Sequence, residues 1–540
     1  MGALSAIERG MDAMTARKLR ILHHMLAVSV LIALIVDVGH VMAEEHSKPD
    51  IGTIDRYIAE QMAANRVPGL ALAITHGNDV LYLKGYGAAG SDRPMTQRTQ
   101  FYIASLGKSF TALAVMQLVE AGKIKFDEPA RVYMPNFTTD PDAPGRITVR
   151  HLLNQTSRVA DARYPAYTLP QPDSIEERVG SLRDARLVSE PGEEFHYTDL
   201  NYAVLARIVE VTSGEPFTEY LRNHIFVPLA MKDTTNVITS AETSQVAPNL
   251  SQGHILAFGV PIPRQELDGY LGGSGGVIST AEDMANYLIM QTNGGRFHGK
   301  ALASPESVML MHIAPPGIDG SYAMGWIAPD PGAKPRVIEH NGVLSAFHAD
   351  MALLPDDGYG IVLLYNYSYA LANFNGIKQG LIDLLTGEQA SSSGLSAGTL
   401  GILLAELTLV TVALQVRGLL RLRLWATKAK HTAPWRFAPG IVWQFIPTGV
   451  LVGMQSLVAL FAGWVFSYYQ LYLSMPDLML WLSLSAILGI AWHGSSSWRG
   501  VWRDKRMGLA CRQITSWTRT AAASSPDLPS ELRSPLDLNG

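Results

Sequence analysis

Apolar positions along the chain fall into three regimes. Arg17, Lys18 and Arg20 precede an apolar run from Ile21 to Val36, and Val41-Met42-Ala43 comes next with small residues at the −1 and −3 positions of a cut after Ala43. A basic start, a short apolar core and a small-residue site predict a secretory signal peptide over 1–43, or an uncleaved signal anchor; either exports the region C-terminal to it. Between about 44 and 388 the pattern is that of a globular domain. Ile54, Ile58 and Met62 have helical spacing that ends near Asn65, and the runs Leu70–Ile74 and Val80–Leu83 flank His76-Gly-Asn-Asp79 as a hairpin. Two more strand runs, Ala349–Leu354 and Gly360–Tyr365, surround Pro355-Asp-Asp-Gly358, and helical patterns dominate the middle. Strands at both ends with helices between predict an α+β domain, one mixed sheet completed by the two ends of the chain with a helical lobe inserted. A linker over 389–396 leads to three apolar segments at about 397–416, 439–466 and 476–494, read as transmembrane helices within 397–498.

Charge orients these segments. The first connection carries Arg417, Arg421, Arg423, Lys428, Lys430 and Arg436, the second (467–477) has neither Lys nor Arg, and Arg499, Arg503, Lys505, Arg506 and Arg512 follow the third. Basic connections stay in the cytoplasm, so the globular domain is expected outside the inner membrane and the tail, 499–540, inside and largely disordered. Trp443, Trp464, Tyr468, Tyr469, Tyr472 and Trp498 sit near predicted helix ends and are expected at the membrane interface. Composition narrows the chemistry. With 43 Lys+Arg against 48 Asp+Glu among 540 residues, the net charge of −5 gives no electrostatic ground for nucleic-acid binding. A chain 47% apolar and 17% charged is not intrinsically disordered. The single Cys511 makes no internal disulfide and no thiolate zinc cluster, and the histidines lack ligand spacing, so neither a metal nor a cofactor is expected.

Three short elements carry candidate chemistry. Ser105-Leu106-Gly107-Lys108 opens a helical pattern running through Phe110, Leu113, Met116 and Val119. A spacing of three brings Ser105 and Lys108 to one face. A serine hydroxyl is a poor nucleophile until a neighbour takes its proton, and an amine beside it can do so. Tyr197-Thr198-Asp199 stands just before the helical run 203–211, where a phenol near cations can serve as a base. His340-Asn341-Gly342 precedes the last strand pair; Gly342 allows close backbone approach, and the N–H of Val343 could complete an oxyanion site with that of Ser105. Each element alone fits a bland reading: a helix cap with a surface lysine, a packed tyrosine, a loop histidine.

Their order and spacing together resemble the serine β-lactamase and penicillin-binding-protein family, in its class C-like branch. The resemblance covers nearly all of 50–388, through Val67-Pro-Gly-Leu-Ala71, Phe101-Tyr-Ile-Ala-Ser-Leu-Gly-Lys108, Ile147-Thr-Val-Arg-His-Leu-Leu153 and Glu190-Pro-Gly192. It continues through Gly272-Gly-Ser-Gly-Gly-Val-Ile-Ser-Thr-Ala-Glu-Asp-Met284, Tyr322-Ala-Met-Gly-Trp326 and His340-Asn-Gly342. It implies an antiparallel sheet flanked by helices with an inserted helical lobe, and acyl transfer through Ser105. Lys108 and Tyr197 would share the proton traffic as a coupled pair, either being the base. Asp199, His340, Gly342 and Tyr102 would contact substrate. Relatives often carry Asn at 199, Lys at 340 and Gly at 158, where this chain has Asp199, His340 and Arg158. The first two changes argue against an efficient β-lactamase. An exported domain of this kind with three following helices is similar to the prodrug-activating D-amino-acid peptidases of colibactin maturation, although Tyr102 and Asp199 depart from that group's recognition positions. The expectation is a membrane-tethered periplasmic serine peptidase acting on a small or acylated peptide at an amide next to a D-residue. The alternatives are an esterase or weak β-lactamase and, from another class, a penicillin sensor. Oligomeric state is left open.

Overall fold

The structure, a computed structural model, describes residues 51–139, 145–159, 164–318, 320–329, 332–390, 394–421, 438–462 and 464–494. The expected signal segment, most of the first basic connection, and the tail with Cys511 lie outside the described residues. α1 (Ile51–Asn65) leads into β1 (Gly69–His76), β2 (Asp79–Gly90) and β3 (Arg93–Pro94), while β4 (Ile338–Val343), β5 (His348–Leu354) and β6 (Tyr359–Tyr365) come from the far end of the domain. They form one six-stranded sheet in the order β4-β5-β6-β1-β2-β3. The two chain ends meet where β1 pairs with β6, Leu72 opposite Leu363. Every ladder of this sheet is antiparallel, which corrects the mixed sheet read from patterning and agrees with the family resemblance.

β1 and β6 read as mainly apolar runs, and β5 is buried along its whole length despite His348 and Asp350, because both faces of the sheet are covered. Side chains alternate between faces. Ala71, Ala73, Met351, Leu353, Val362 and Leu364 join one core, beneath the inserted helices. Leu70, Leu72, Ile74, Leu354, Ile361 and Leu363 join another, shared with Ile54 and Ile58 of α1 and Leu381 and Ile382 of the helix Phe374–Leu385. The insertion supplies α2 (Gly107–Glu120), nearly all of whose residues are buried, and α3 (Asp199–Ser213), which packs against it. Thr198 caps α3 by accepting from the Leu200 N–H at 3.3 Å, and Gly214 ends it at φ 81°.

At the C-terminus α4 (Ala397–Leu420) is long and apolar enough to cross a membrane. The segments expected as the next two spans are helical, as α5 (Ala438–Ala462, with Pro447 inside) and, after the short α6 (Tyr468–Ser474), α7 (Pro476–Gly494). Their apolar stretches, Phe445–Phe461 and Pro476–Trp492, are shorter than the first. The described residues through Glu406, together with Met454–Met479, form one compact unit; those of Leu407–Gly453 and from Leu480 onward form a second. Within the second, Gln415 donates to the Ser485 carbonyl at 3.0 Å and the Trp481 indole to Thr411 at 3.3 Å. The α5–α7 connection, whose aromatic residues are expected from the sequence at the membrane interface, belongs to the unit that holds the sheet.

Candidate active site

Ser105 sits in a 3-10 turn (Ala104–Leu106) that runs directly into α2. Ala104 enters the turn at φ 50°, a left-handed conformation unusual for a residue with a Cβ and one that marks sites held by their surroundings. The surroundings here are β4. Gly342 lies against the turn so closely that a Cβ on it would be 2.2 Å from the Ile103 carbonyl oxygen and 3.0 Å from the Ala104 methyl. Only glycine allows that approach. It brings the strand bearing His340 and Val343 alongside Ser105.

Lys108, in the first turn of α2, is fully buried. Its ammonium donates to Ser105 Oγ at 2.9 Å, to Asp199 Oδ1 at 2.5 Å and to the Ser274 carbonyl at 3.5 Å. It also lies 4.8 Å from the centre of the Tyr197 ring. α3 presents Asp199 at its first position, and the segment ahead of it is tied down by Gln155, which accepts from the Thr198 N–H at 3.2 Å and from Asn201 at 2.6 Å. The other Asp199 oxygen accepts a hydrogen bond from the Tyr167 hydroxyl.

The electrostatics follow from that packing. Burial works against a charged Lys108, but the Asp199 carboxylate and Tyr197 outweigh it and raise the ammonium above its ordinary range. Burial likewise works against an ionised Asp199, and the charge and hydrogen bond of Lys108, with the Tyr167 hydroxyl, pull its carboxyl below the ordinary range. Tyr197 is raised, by burial first and the Asp199 charge in addition, although Lys108 and Ser105 draw it down. The resting site is therefore an ammonium–carboxylate pair beside a neutral phenol. His340 is buried, and burial followed by the nearby Lys108 charge lowers it to about 3, so the imidazole stays neutral. Its Nε2 lies 3.3 Å from the Tyr322 hydroxyl, and Tyr322 in turn meets Tyr197 edge-on at 5.6 Å.

Of the residues singled out in the sequence, Ser105, Lys108, Tyr197 and Asp199 come together directly, and β4 brings His340 and Gly342 beside them. Val343 is 49% exposed at the end of β4. Tyr102 stands elsewhere: it is 1% exposed, bonded to the Thr243 hydroxyl and packed 5.4 Å from Phe347, lining a cavity of about 550 Å3 whose wall does not include Ser105. Arg158, unexplained by sequence, has φ 68°, the conformation that suits the glycine of relatives, and pairs with Glu194 at 2.8 Å. Sequence reasoning missed Tyr167, which supports Asp199, and Glu266, whose carboxylate accepts from the N–H groups of Ser345 and Ala346, both at 3.0 Å, and so fixes the turn after Val343. No local motif marks either residue. Among the described residues no His/Cys/Asp/Glu cluster with metal-binding geometry occurs.

Comparison with known proteins places this arrangement. The chain is 26% identical over 324 residues to Protein flp of Staphylococcus aureus (strain MW2), a match covering 58% of this chain and 62% of that protein's length. It is 26% identical over 367 residues to the D-alanyl-D-alanine-carboxypeptidase/endopeptidase AmpH of Escherichia coli (strain K12), covering 64% of this chain and 91% of AmpH. Among solved structures, the octameric penicillin-binding protein homologue from Pyrococcus abyssi superposes with a TM-score of 0.55 at 27% identity, covering 63% of this chain and 78% of that one. EstCE1, a hydrolase with promiscuous acyltransferase activity, shares the fold at a TM-score of 0.53 and 20% identity, covering 62% of this chain and 97% of that one. The Beta-lactamase family description matches residues 54–382, well over half of the chain, so the protein belongs to the Beta-lactamase family.

Proposed function

We propose that the protein is a membrane-anchored, extracytoplasmic peptidase that cleaves an amide next to a D-amino acid through an acyl-enzyme on Ser105. The observation that carries the reading is the buried Lys108 ammonium bonded at once to Ser105 Oγ and Asp199, with the Tyr197 ring beside it. In the resting site Lys108 and Tyr197 both hold protons, so acylation begins once this coupled pair has given one up. The Ser105 proton then enters the pair as Oγ bonds to the substrate carbonyl. The pair delivers that proton to the departing amine as the C–N bond breaks. The N–H groups of Ser105 and Val343 would hold the oxyanion, and water releases the acyl group by the same steps in reverse order. AmpH, named for D-alanyl-D-alanine substrates, supports the peptide class, and the long apolar helix Ala397–Leu420 supports the anchor. The basic residues that follow this helix and the third apolar segment support an outward-facing catalytic domain.

Within that class the substrate is either a peptidoglycan stem or a capped peptide metabolite. A neutral His340 attracts a substrate carboxylate weakly, which favours an internal or capped amide over a free C-terminal residue. The same neutrality supports a second reading, an esterase acting on uncharged acyl groups. Mass spectrometry of the purified full-length protein with muropeptides, N-acyl-D-aminoacyl peptides and p-nitrophenyl esters separates these. Amide cleavage lost in Ser105→Ala, with the thermal transition unchanged, is the expected result. Turnover that survives in Ser105→Ala removes the assignment.

A further inference from the structure

The connection between α5 and α7 is built into the catalytic unit. The Trp464 indole stacks on the Tyr197 ring, with centroids 5.8 Å apart and planes 24° apart, and lies 6.0 Å from the Tyr167 ring. Phe466 is 5.8 Å from the same Tyr167 ring and meets Trp464 edge-on at 5.5 Å. Ser467 then starts α6 with a reciprocal capping box to Gln470, which fixes the path of the chain past this aromatic group. Within the first turn of α6, Tyr469 receives a hydrogen bond from Arg264, whose guanidinium lies 5.3 Å from its ring.

Next to these contacts, an open cavity of about 650 Å3 lies between the 263–268 loop of the catalytic domain and the start of α6, lined by Tyr167, Arg264, Asp268, Ser467, Tyr469 and Gln470. Cavities of this size hold small ligands. Tyr167 joins cavity and chemistry: its ring is in the cavity wall and its hydroxyl is on Asp199, the partner of Lys108. Trp464 and Phe466 remain partly exposed, so apolar surface borders the group around Ser105 and is open to a ligand.

We propose that the Trp464–Gln470 segment forms one wall of the substrate cleft, with Trp464 a specificity-determining residue that favours a flat or apolar group beside the reacting carbonyl. The proposal rests on the acyl-transfer reading and adds to it the chemistry of the neighbouring subsite: an aromatic or bulky apolar substituent stacked on the indole, with the polar remainder of a peptide in the cavity beside Arg264. Aromatic faces select for such groups through apolar burial and offset stacking.

The test uses the full-length protein in detergent and two fluorophosphonates, identical except that one bears an ethyl and the other a phenylpropyl group on phosphorus. Rate constants for labelling of Ser105 are measured for the wild type, Trp464→Ala and Trp464→Phe, and the phenylpropyl-to-ethyl ratio is compared across the three, which cancels partition into micelles. The ratio is expected to fall about tenfold in Trp464→Ala, the scale of a lost apolar contact in a specificity pocket, and to recover largely in Trp464→Phe. Equal slowing with both probes would make Trp464 only a support for Tyr197, and an unchanged ratio would remove it from the cleft; either overturns the proposal. A wild type labelled by neither probe at Ser105 overturns the acyl-transfer reading itself.

Discussion

Replacing Asp199 by Asn tests the proton chemistry most directly, because it removes one charge and keeps an acceptor oxygen for the Tyr167 hydroxyl. Two unit charges 2.5 Å apart attract by roughly 6–7 kcal/mol at an effective dielectric of about 20. The Asp199 side chain is 31% exposed while that of Lys108 is fully buried, so solvent screening cuts this to about half, near 3 kcal/mol. Without the carboxylate, burial dominates at Lys108 and its neutral form gains by that amount, about a hundredfold in population. A more readily lost Lys108 proton makes it easier for the coupled Lys108–Tyr197 pair to reach the singly deprotonated state that the proposed mechanism needs before Ser105 can give up its proton. The rising limb of the pH profile for Ser105 labelling by a fluorophosphonate, where rate increases as the proton is lost, should therefore move to lower pH by well over one unit, and the rate at pH 7 should rise tenfold or more. Stability carries a matching sign. In the wild type Lys108 is raised, so its pair adds stability that is full below the ordinary lysine value of 10.5 and is lost as pH climbs through the higher folded value. In Asp199→Asn the folded amine binds protons less readily than the unfolded one, so stability falls as pH drops from about 10 toward neutral. A limb that stays in place or moves upward, with the fold intact, refutes the view that Asp199 holds the lysine charged.

Two further outcomes rest on backbone fit and buried imidazoles. Gly342→Ala forces a methyl into the Ile103 carbonyl, which is main chain and cannot swing aside; a cost of about 1–3 kcal/mol is expected, seen as a thermal transition lowered by a few degrees and slower Ser105 labelling. An unchanged transition would mean that β4 is not pressed on the catalytic turn. His312, buried beside Trp326, is lowered to about 3 by burial and then by Arg336. Its unfolded form therefore binds a proton below about pH 6.5 that the folded form refuses, and stability falls as pH drops from 6.5 toward 3, by at most about 1.4 kcal/mol per pH unit. His312→Phe should flatten this dependence between pH 6 and 4 in thermal melts; parallel melting curves against pH for both proteins would refute it.

The features legible in the sequence and those hidden from it separate along a physical line. β1, β5 and β6 were legible because a strand buried on both faces writes a largely apolar run, interrupted in β5 by Asp350, and α1 because one buried face repeats every three to four residues. Ser105 and Lys108 were legible because their contact is made within one helical turn. Tyr167 and Trp464 were not, because a ring's partner across the fold leaves no period in the chain. Trp464 was read as an interfacial residue, since an amphipathic indole suits a headgroup layer; the structure adds its stacking on Tyr197, which no sequence pattern announced. The same limit applies to Asp199. Set against an Asn in relatives, its charge first reads as a change in substrate recognition. In the structure one of its oxygens accepts from Lys108 and the other from Tyr167, so on the proposed mechanism the departure also acts on the charge state of the lysine. On the proposed mechanism a substitution that looks like altered specificity in a motif would also set the pH at which the nucleophile is activated, beside the aromatic wall proposed to choose the substrate.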